Sequence, residues 1–210
     1  RGAAEARGAA RELGLWPISQ GARDRGDALK VTPLALPEIL LLEPRVFEDA
    51  RGAFFESFNL TRFSEVTGQA PSFVQDNQSV SRRGVVRGLH YQVDPAAQGK
   101  LVRVLSGAAY DVAVDLRRSS PNFGRWVAEV LSAENRRQIW IPEGFAHGFM
   151  ALRDGTEVFY KTTDYYAPAA ERSIRWDDPE LGIGWPAEVT PVLSDRDAVA
   201  PAFRDAVTFA

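Results

Sequence analysis

Cysteine is absent from the 210 residues of this chain. Its absence excludes disulfide bonds, thiolate nucleophiles, and zinc or iron–sulfur sites built on cysteine ligands. The chain has no need of such cross-links, because a domain of this size buries roughly 70% of the surface that its unfolded form exposes. The missing cysteine is also compatible with a reducing compartment.

Histidine is almost as scarce, with His90 and His147 as its two occurrences. Many jelly-roll proteins bind a metal through a His-x-His pair, a glutamate and a further histidine, and this chain cannot supply that set. Two histidines and one carboxylate would still suffice in principle. The glycine patterns of dinucleotide sites, phosphate-binding loops and serine nucleophile elbows are missing as well. We therefore predict neither a catalytic metal nor a cofactor.

Long apolar runs and an excess of positive charge are also lacking. The longest aliphatic run, Ile39 to Leu42, is far shorter than the ~20 residues of a membrane span. The N-terminus lacks the continuous apolar core of a secretory signal. The net charge of -3 gives no electrostatic case for nucleic acid or an anionic membrane as partner. We predict a cytoplasmic protein that binds neither.

The chain divides into two parts by composition. Residues 1–30 are rich in alanine, arginine and glycine, and we predict a flexible extension with no catalytic role, in which Ala3 to Leu13 could form a short helix. Residues 31–210 form the predicted domain. Lysine occurs only at Lys30, Lys100 and Lys161, so each is a candidate for a role that arginine cannot fill.

From Ile39 onward, short strand-like segments alternate with turn residues, at the spacing of a sandwich or barrel. The sequence predicts an all-β, jelly-roll (cupin-like) β-sandwich with a few short helices, one of them at Leu60 to Thr67. The main predicted strands are Leu101–Leu105, Tyr110–Leu116, Trp126–Leu131, Gln138–Ile141, Ala146–Leu152 and Thr156–Thr162. The first two, joined through Ser106-Gly107, have the pattern of a β-hairpin.

With cysteine, metal and cofactor sites set aside, the residue types that are left suit acid–base catalysis without a metal. Both histidines lie beside glycines, which favours a ligand close to the backbone, although for His147 an ordinary buried histidine is an equal alternative. A histidine with a pKa of ~6.5 can abstract a proton beside a carbonyl at neutral pH. A cation such as Lys100 can stabilise the enolate, and a phenol can return the proton. These residue types permit such a reaction without specifying it.

Several motifs, taken in order from about Ile39 to Asp205, closely resemble those of the dTDP-4-dehydrorhamnose 3,5-epimerase family. The motifs are Phe73-Val74-Gln75-Asp76-Asn77, Arg87-Gly88-Leu89-His90-Tyr91-Gln92, Gln98-Gly99-Lys100-Leu101-Val102-Arg103, Ile141 to Phe149, Tyr160-Lys161-Thr162-Thr163, Tyr165-Tyr166-Ala167-Pro168 and Leu193-Ser194-Asp195-Arg196-Asp197-Ala198. The resemblance implies a metal-free jelly-roll homodimer. Its reaction converts dTDP-4-dehydro-6-deoxy-D-glucose into dTDP-4-dehydro-L-rhamnose by epimerisation at C3 and C5.

The resemblance also implies residue roles. It makes His90 the base, Asp197 the carboxylate that orients it, Tyr160 the proton donor on the other face of the sugar, and Lys100 the cation beside the C4 oxygen. Arg51 and Glu56 are expected to reach the site of the partner subunit. The positions that match substrate contacts are Arg51, Glu56, Gln75, Asn77, Arg87, His147, Glu171 and Arg196.

Three alternatives remain open from the sequence. A mono-epimerase of the same fold, acting in another deoxysugar pathway, is the nearest to the first prediction. A sugar-binding jelly roll without catalysis is less favoured, because a binding protein needs no matched base and acid. A metal-dependent cupin oxygenase is the most distant alternative, since it requires a metal site.

Overall fold

The computed structural model describes residues 29–210, which form two main β-sheets and a few short helices. The helices are α1 (Leu60–Thr67), α2 (Asp195–Ala198) and a 3-10 turn (Phe203–Asp205). The strands are β1 (Leu29–Pro33), β2 (Leu40–Pro44), β3 (Val46–Asp49), β4 (Gly52–Phe55), β5 (Gln75–Ser81), β6 (Val86–Gln92), β7 (Lys100–Ser106), β8 (Ala108–Asp115), β9 (Trp126–Ser132), β10 (Gln138–Ile141), β11 (Phe145–Ala151), β12 (Thr156–Thr162) and β13 (Glu171–Ser173).

The predicted N-terminal extension lies outside the described residues, apart from Leu29 and Lys30, which begin β1. The helix considered for Ala3 to Leu13 lies wholly outside them. At the other end the chain is described as far as Ala210.

The strands form two antiparallel sheets packed face to face. One sheet has the order β1-β2-β10-β7-β12-β5 and the other the order β13-β6-β11-β8-β9, while β3 and β4 form a separate hairpin. Strands that are consecutive in the chain often lie in different sheets. This arrangement confirms the predicted all-β jelly-roll sandwich.

The space between the sheets is filled by side chains at alternate strand positions. Val102 and Val104 of β7 and Val158 of β12 meet Ala113 and Phe149 from the other sheet. Because strand residues alternate between faces, Lys100 and Tyr160 point toward the same interior as these valines. The strand period therefore turns two polar side chains inward.

Both sheets are also covered on their outer faces. The C-terminal segment, including Ile174, Leu181 and Phe203, packs on the outer side of the five-stranded sheet. Helix α1 covers the outer side of the six-stranded sheet through Phe63, which contacts the Trp140 ring. Each sheet is thus buried on its inner face and partly covered on its outer face.

The predicted hairpin between β7 and β8 is wrong. Strand β7 pairs with β10 and β12, whereas β8 pairs with β11 and β9 in the opposite sheet. Gly107 makes the crossing at a φ of +72°, where a Cβ would lie 2.7 Å from the Thr156 hydroxyl oxygen. A short glycine turn fits a hairpin and a crossover between sheets equally well, and the long-range pairing decides between them.

The other predicted elements are confirmed. Helix α1 has the predicted bounds, because the Asn59 side chain accepts a hydrogen bond from the Arg62 amide at its start and Gly68 ends it at a φ of +70°. Strands β10 and β12 also have the predicted bounds, while β9 differs from its prediction by one residue at its end and β11 by one residue at each end.

Candidate active site

A cavity of about 560 Å³ opens between the two sheets. Strands β5, β7 and β12 line it from one sheet, and β6 and β11 line it from the other. Nine of the twelve residues predicted for the site border this cavity: Asn77, Arg87, His90, Lys100, His147, Tyr160, Glu171, Arg196 and Asp197. The structure therefore brings together residues that are far apart in the sequence.

His90 and Asp197 form a short hydrogen bond, with 2.6 Å between His90 Nε2 and Asp197 Oδ1. The Asp197 side chain is buried, while 31% of the His90 side chain is exposed to the cavity and solvent. Burial alone would raise the pKa of Asp197, but the hydrogen bond and charge of His90 outweigh it and hold that pKa below its usual value. An ionised Asp197 can accept a hydrogen bond from an Nε2–H of His90.

Two local contacts hold Asp197 next to His90. The Ser194 hydroxyl oxygen caps α2 by accepting a hydrogen bond from the Asp197 amide at 3.1 Å. Just before it, Val192 pairs with the start of β6, where the Val86 amide donates to the Val192 carbonyl at 2.9 Å. The carboxylate is therefore fixed against the strand that carries His90.

Lys100 lies beneath the cavity with 8% of its surface exposed. Burial lowers its pKa to about 8, although the negative charges of Asp111 and Glu171 oppose the shift. Its ammonium donates to the His90 carbonyl at 3.2 Å and lies 5.9 Å from the centre of the Tyr160 ring. The ammonium thus lies between the main chain of His90 and the ring of Tyr160.

Tyr160 faces His90 from the opposite sheet, since β12 and β6 lie on the two sides of the cavity. Burial raises the pKa of the phenol, with Arg87 opposing and Glu171 adding to the shift. The phenol therefore keeps its proton at neutral pH and can donate it. An imidazole and a phenol on opposite walls can reach opposite faces of a flat group bound between them.

A second histidine–carboxylate pair lies deeper in the cavity wall. His147 Nε2 is 2.9 Å from Asp111 Oδ2, and both side chains are buried. Asp111 Oδ1 has no hydrogen-bond partner among the described residues. The sequence analysis missed Asp111 as a site residue. One signal for it was available in the sequence. Asp111 alternates with Ala109 and Ala113 along β8, so its carboxylate shares their inward-facing side of the strand.

The glycines beside the two histidines allow their strands, β6 and β11, to pack closely. Gly88 has a φ of +135°, and a Cβ on it would lie only 2.5 Å from Gly148 Cα. This contact lets β6 and β11 approach, and it places His90 and His147 directly across from each other. The glycines allow a close approach of backbone to backbone, whereas the sequence suggested an approach of ligand to backbone.

Charged side chains form the cavity mouth. Glu171 accepts hydrogen bonds from Arg196, at 2.9 Å, and from the Tyr166 hydroxyl, at 2.6 Å. Burial would raise the pKa of Glu171, but these two bonds outweigh it and lower the pKa. Arg87 donates to the Ser81 hydroxyl at 3.2 Å. Arg87 and Arg196 supply cationic groups at the mouth that suit an anionic ligand.

Gln75 and Asn77 share the inward face of edge strand β5. The Gln75 amide donates to Asn77 Oδ1 at 2.9 Å, and its oxygen accepts from the Tyr166 amide at the same distance. Asn77 borders the cavity, whereas Gln75 lies just behind it.

Arg51 and Glu56 do not border the cavity of their own chain. Arg51 is on the turn of the β3–β4 hairpin, with 86% of its side chain exposed and an ion pair of 2.6 Å to Asp49. Glu56 pairs with Arg62 of α1 at 3.2 Å. Their predicted contact with a partner subunit stays a prediction.

Residues 29–210 were also compared with the requirements of a metal site and of a membrane-spanning helix. Within this range no three His, Asp or Glu side chains are grouped so that they could hold a metal ion. No helix there is both long and apolar enough to span a membrane.

Comparison with known proteins extends these observations. The family described as dTDP-4-dehydrorhamnose 3,5-epimerase matches residues 33–205. An enzyme of that name from Pseudomonas aeruginosa is 59% identical over 181 residues, which cover 86% of this chain and 99% of the relative.

Two solved structures share the fold. A dTDP-6-deoxy-D-glucose-3,5-epimerase from Legionella pneumophila, in complex with dTDP-4-keto-L-rhamnose, has a TM-score of 0.80 and 49% identity over 83% of this chain and 92% of its own. A 3'-monoepimerase from Streptomyces bikiniensis, in complex with dTDP-quinovose, has a TM-score of 0.77 and 38% identity over 81% of this chain and 86% of its own. On these matches the chain belongs to the dTDP-4-dehydrorhamnose 3,5-epimerase family.

Proposed function

We propose that the protein epimerises C3 and C5 of dTDP-4-dehydro-6-deoxy-D-glucose to give dTDP-4-dehydro-L-rhamnose. The observation that carries this proposal is the placement of His90, with Asp197 behind it, and Tyr160 on opposite walls of one cavity. Membership of the family and the sugar nucleotide bound to the Legionella pneumophila neighbour support the same substrate class.

The proposed reaction is a pair of proton exchanges. The C4 carbonyl acidifies the hydrogens on C3 and C5, and His90 removes one of them as the C–H electrons pass into the C4 oxygen. The Lys100 ammonium stabilises that oxygen anion. Tyr160 then protonates the carbon from the opposite face, and solvent returns its proton while His90 releases the one it took. No atom is gained or lost, and the cycle repeats at the second carbon.

We assign the remaining residues to substrate binding. Arg87 and Arg196 suit the diphosphate, because guanidinium groups form paired hydrogen bonds with phosphate oxygens. The polar side chains of Asn77, His147 and Glu171 border the same cavity and suit the sugar and nucleoside hydroxyls. Gln75 supports Asn77 from behind.

A mono-epimerase is the second candidate, and one observation favours it. The 3'-monoepimerase from Streptomyces bikiniensis shares the fold with a TM-score of 0.77, so the sandwich itself serves both outcomes. The high identity to relatives named as 3,5-epimerases favours the dual reaction.

We also propose a homodimer in the cytoplasm. The β3–β4 hairpin pairs with no other described strand, and it carries Arg51 and the half-exposed Phe47. Strand β5 lies at a sheet edge beside the cavity, so its outer edge can receive another strand. A hairpin from a second copy on that edge would bring Arg51 and Glu56 to the cavity.

Incubation with dTDP-4-dehydro-6-deoxy-D-glucose in deuterated water tests the reaction. Mass spectrometry should find two deuterons in the inverted product, because each inverted carbon receives a solvent proton. One deuteron would identify a mono-epimerase, and none would refute epimerisation of this substrate.

A further inference from the structure

The turn between β12 and β13, residues 164–167, is held by side-chain amides from other parts of the chain. Gln98 donates to a main-chain carbonyl of the turn at 2.7 Å, and Gln75 accepts from a main-chain amide at 2.9 Å. Gln92 both donates to the turn, at 3.1 Å, and accepts from it, at 2.8 Å. We name these three residues the glutamine clamp.

Gln92 has its amide hydrogens committed to main-chain oxygens. It donates to the carbonyls of Ala96 and Tyr165, at 2.7 and 3.1 Å, while its oxygen accepts from the Ala167 amide. Only 4% of the residue is exposed, although it borders the cavity. An amide carries two donor hydrogens, so Gln92 has none left for a ligand. Its contacts are those of a residue that acts on the backbone.

The clamped turn carries part of the cavity wall. Tyr166 borders the cavity, and its hydroxyl donates to Glu171, which also accepts from Arg196. Gln92 lies directly across from Glu171 in the β6–β13 pair. The buried Gln92 amide therefore fixes the turn that carries Tyr166. Gln92 also lies next to β13, the strand that carries Glu171.

We propose that Gln92 is a positioning residue for substrate binding, acting through the turn at residues 164–167. This inference rests on the proposed function, because it assumes that Tyr166, Glu171 and Arg196 face the bound sugar nucleotide. Ordering a loop before binding removes an entropic cost from the binding step. The base and the acid, His90 and Tyr160, are held by other contacts. Loss of the clamp should therefore weaken binding more than it slows the chemical step.

Gln92→Met keeps the length of the side chain and removes its three amide hydrogen bonds. We expect this variant to raise KM, and the Kd for dTDP measured by calorimetry, by about 10-fold, which is the order expected when ordering of a loop is left to the binding step. The deuterium exchange rate at saturating substrate should stay within about threefold of wild type.

Thr156→Val is the matched control. The single hydrogen of the buried Thr156 hydroxyl is shared between the main-chain carbonyls of Ala108 and Arg153. Thr156 lies at the end of β12 remote from the clamp and does not border the cavity. The control should lose thermal stability and keep its KM and its Kd for dTDP. If Gln92→Met changes these two constants no more than Thr156→Val does, the positioning role is wrong.

Gln98→Met provides a milder form of the test if Gln92→Met does not fold. It removes a single hydrogen bond to the turn, and it should raise the same Kd about two- to fivefold. An unchanged Kd overturns the proposal. The two proposals can fail separately. If the wild-type protein binds dTDP but does not epimerise the sugar nucleotide, the proposed reaction is refuted. The Kd values for dTDP still test the clamp in that case.

Discussion

His90 and Tyr160 divide the proposed proton transfer between two walls of the cavity, and each can be removed separately. His90→Ala deletes the base, so deuterium exchange at both carbons should fall by ~10²–10⁴-fold or more. Tyr160→Phe deletes only the phenolic proton. The enolate can still form against Lys100 and be reprotonated from its original face by His90, so exchange should persist while inversion falls sharply.

Two quantities are measured for each variant. Mass spectrometry gives the deuterium content of the sugar, and NMR gives the configuration of the product. Asp197→Asn should be intermediate, because it weakens the base without deleting it. Equal loss of exchange in Tyr160→Phe and His90→Ala would show that the two roles are assigned wrongly.

We expect Lys100 to make the reaction depend on pH at its alkaline side. Its pKa lies at about 8 because burial disfavours the ammonium, and the proposed enolate needs that ammonium charged. The ratio kcat/KM, which reports ionisations of the free enzyme, should therefore decline as the pH rises through about 8. Lys100→Met should be slow at every pH and lack this decline. An unchanged alkaline limb in Lys100→Met would assign the decline to another group.

The two histidines also bear on metal dependence. Each has Nε2 hydrogen-bonded to a carboxylate, His90 to Asp197 and His147 to Asp111, an arrangement suited to proton transfer. We expect activity to survive exhaustive chelation. Loss of activity with a chelator, and its recovery when a divalent metal is added, would refute a metal-free mechanism.

At the scale of elements, the approach of β6 to β11 aligns the site. A Cβ on Gly148 would lie 2.9 Å from the Arg87 carbonyl oxygen and 3.1 Å from Gly88 Cα, so the strands must move apart in Gly148→Ala. We expect this variant to lose about 1–3 kcal/mol of unfolding free energy. Its activity should fall as well, since the same strands carry His90 and His147.

Urea denaturation and the epimerisation assay measure the two effects. Gly184→Ala is the control, because a Cβ there would meet only a ring atom of Trp126 at an ordinary 3.7 Å. Equal stability of the two variants would show that the close strand contact is not needed.

For the whole molecule, the β3–β4 hairpin is the segment expected to join two copies. Wild type should have the mass of a dimer in light scattering. Because Arg51 lies on an exposed turn and pairs only with its neighbour Asp49 among the described residues, Arg51→Ala should leave the fold intact. It should raise KM by about 10-fold if it reaches the partner's cavity.

The control for the hairpin is Arg153→Ala. Arg153 forms a similarly exposed ion pair with Glu134 at 2.6 Å, in the β11–β12 turn, and its loss should leave KM unchanged. A fully active monomer, or equal KM values for the two variants, would contradict the assignment of Arg51 to a partner's site.

Much of the local structure could be predicted from the sequence. Asn59 and Gly68 carry the signals that begin and end α1, and short strand-like runs bounded by turn residues predict the bounds of β10 and β12. Such signals are local, because capping and strand propensity depend on residues within a few positions of one another. The ordered motifs likewise sufficed to indicate the family and to nominate His90 and Tyr160.

Only the tertiary structure decided which strands pair and which polar groups are buried together. Alternation gives the two faces of a strand without naming its neighbour, so β7 and β8 resemble a hairpin yet lie in different sheets. For the same reason Asp111 is an unremarked carboxylate in the sequence and becomes the buried partner of His147 in the fold. Pairing and burial depend on contacts between residues distant in the chain, and those contacts exist only once the sheets have packed.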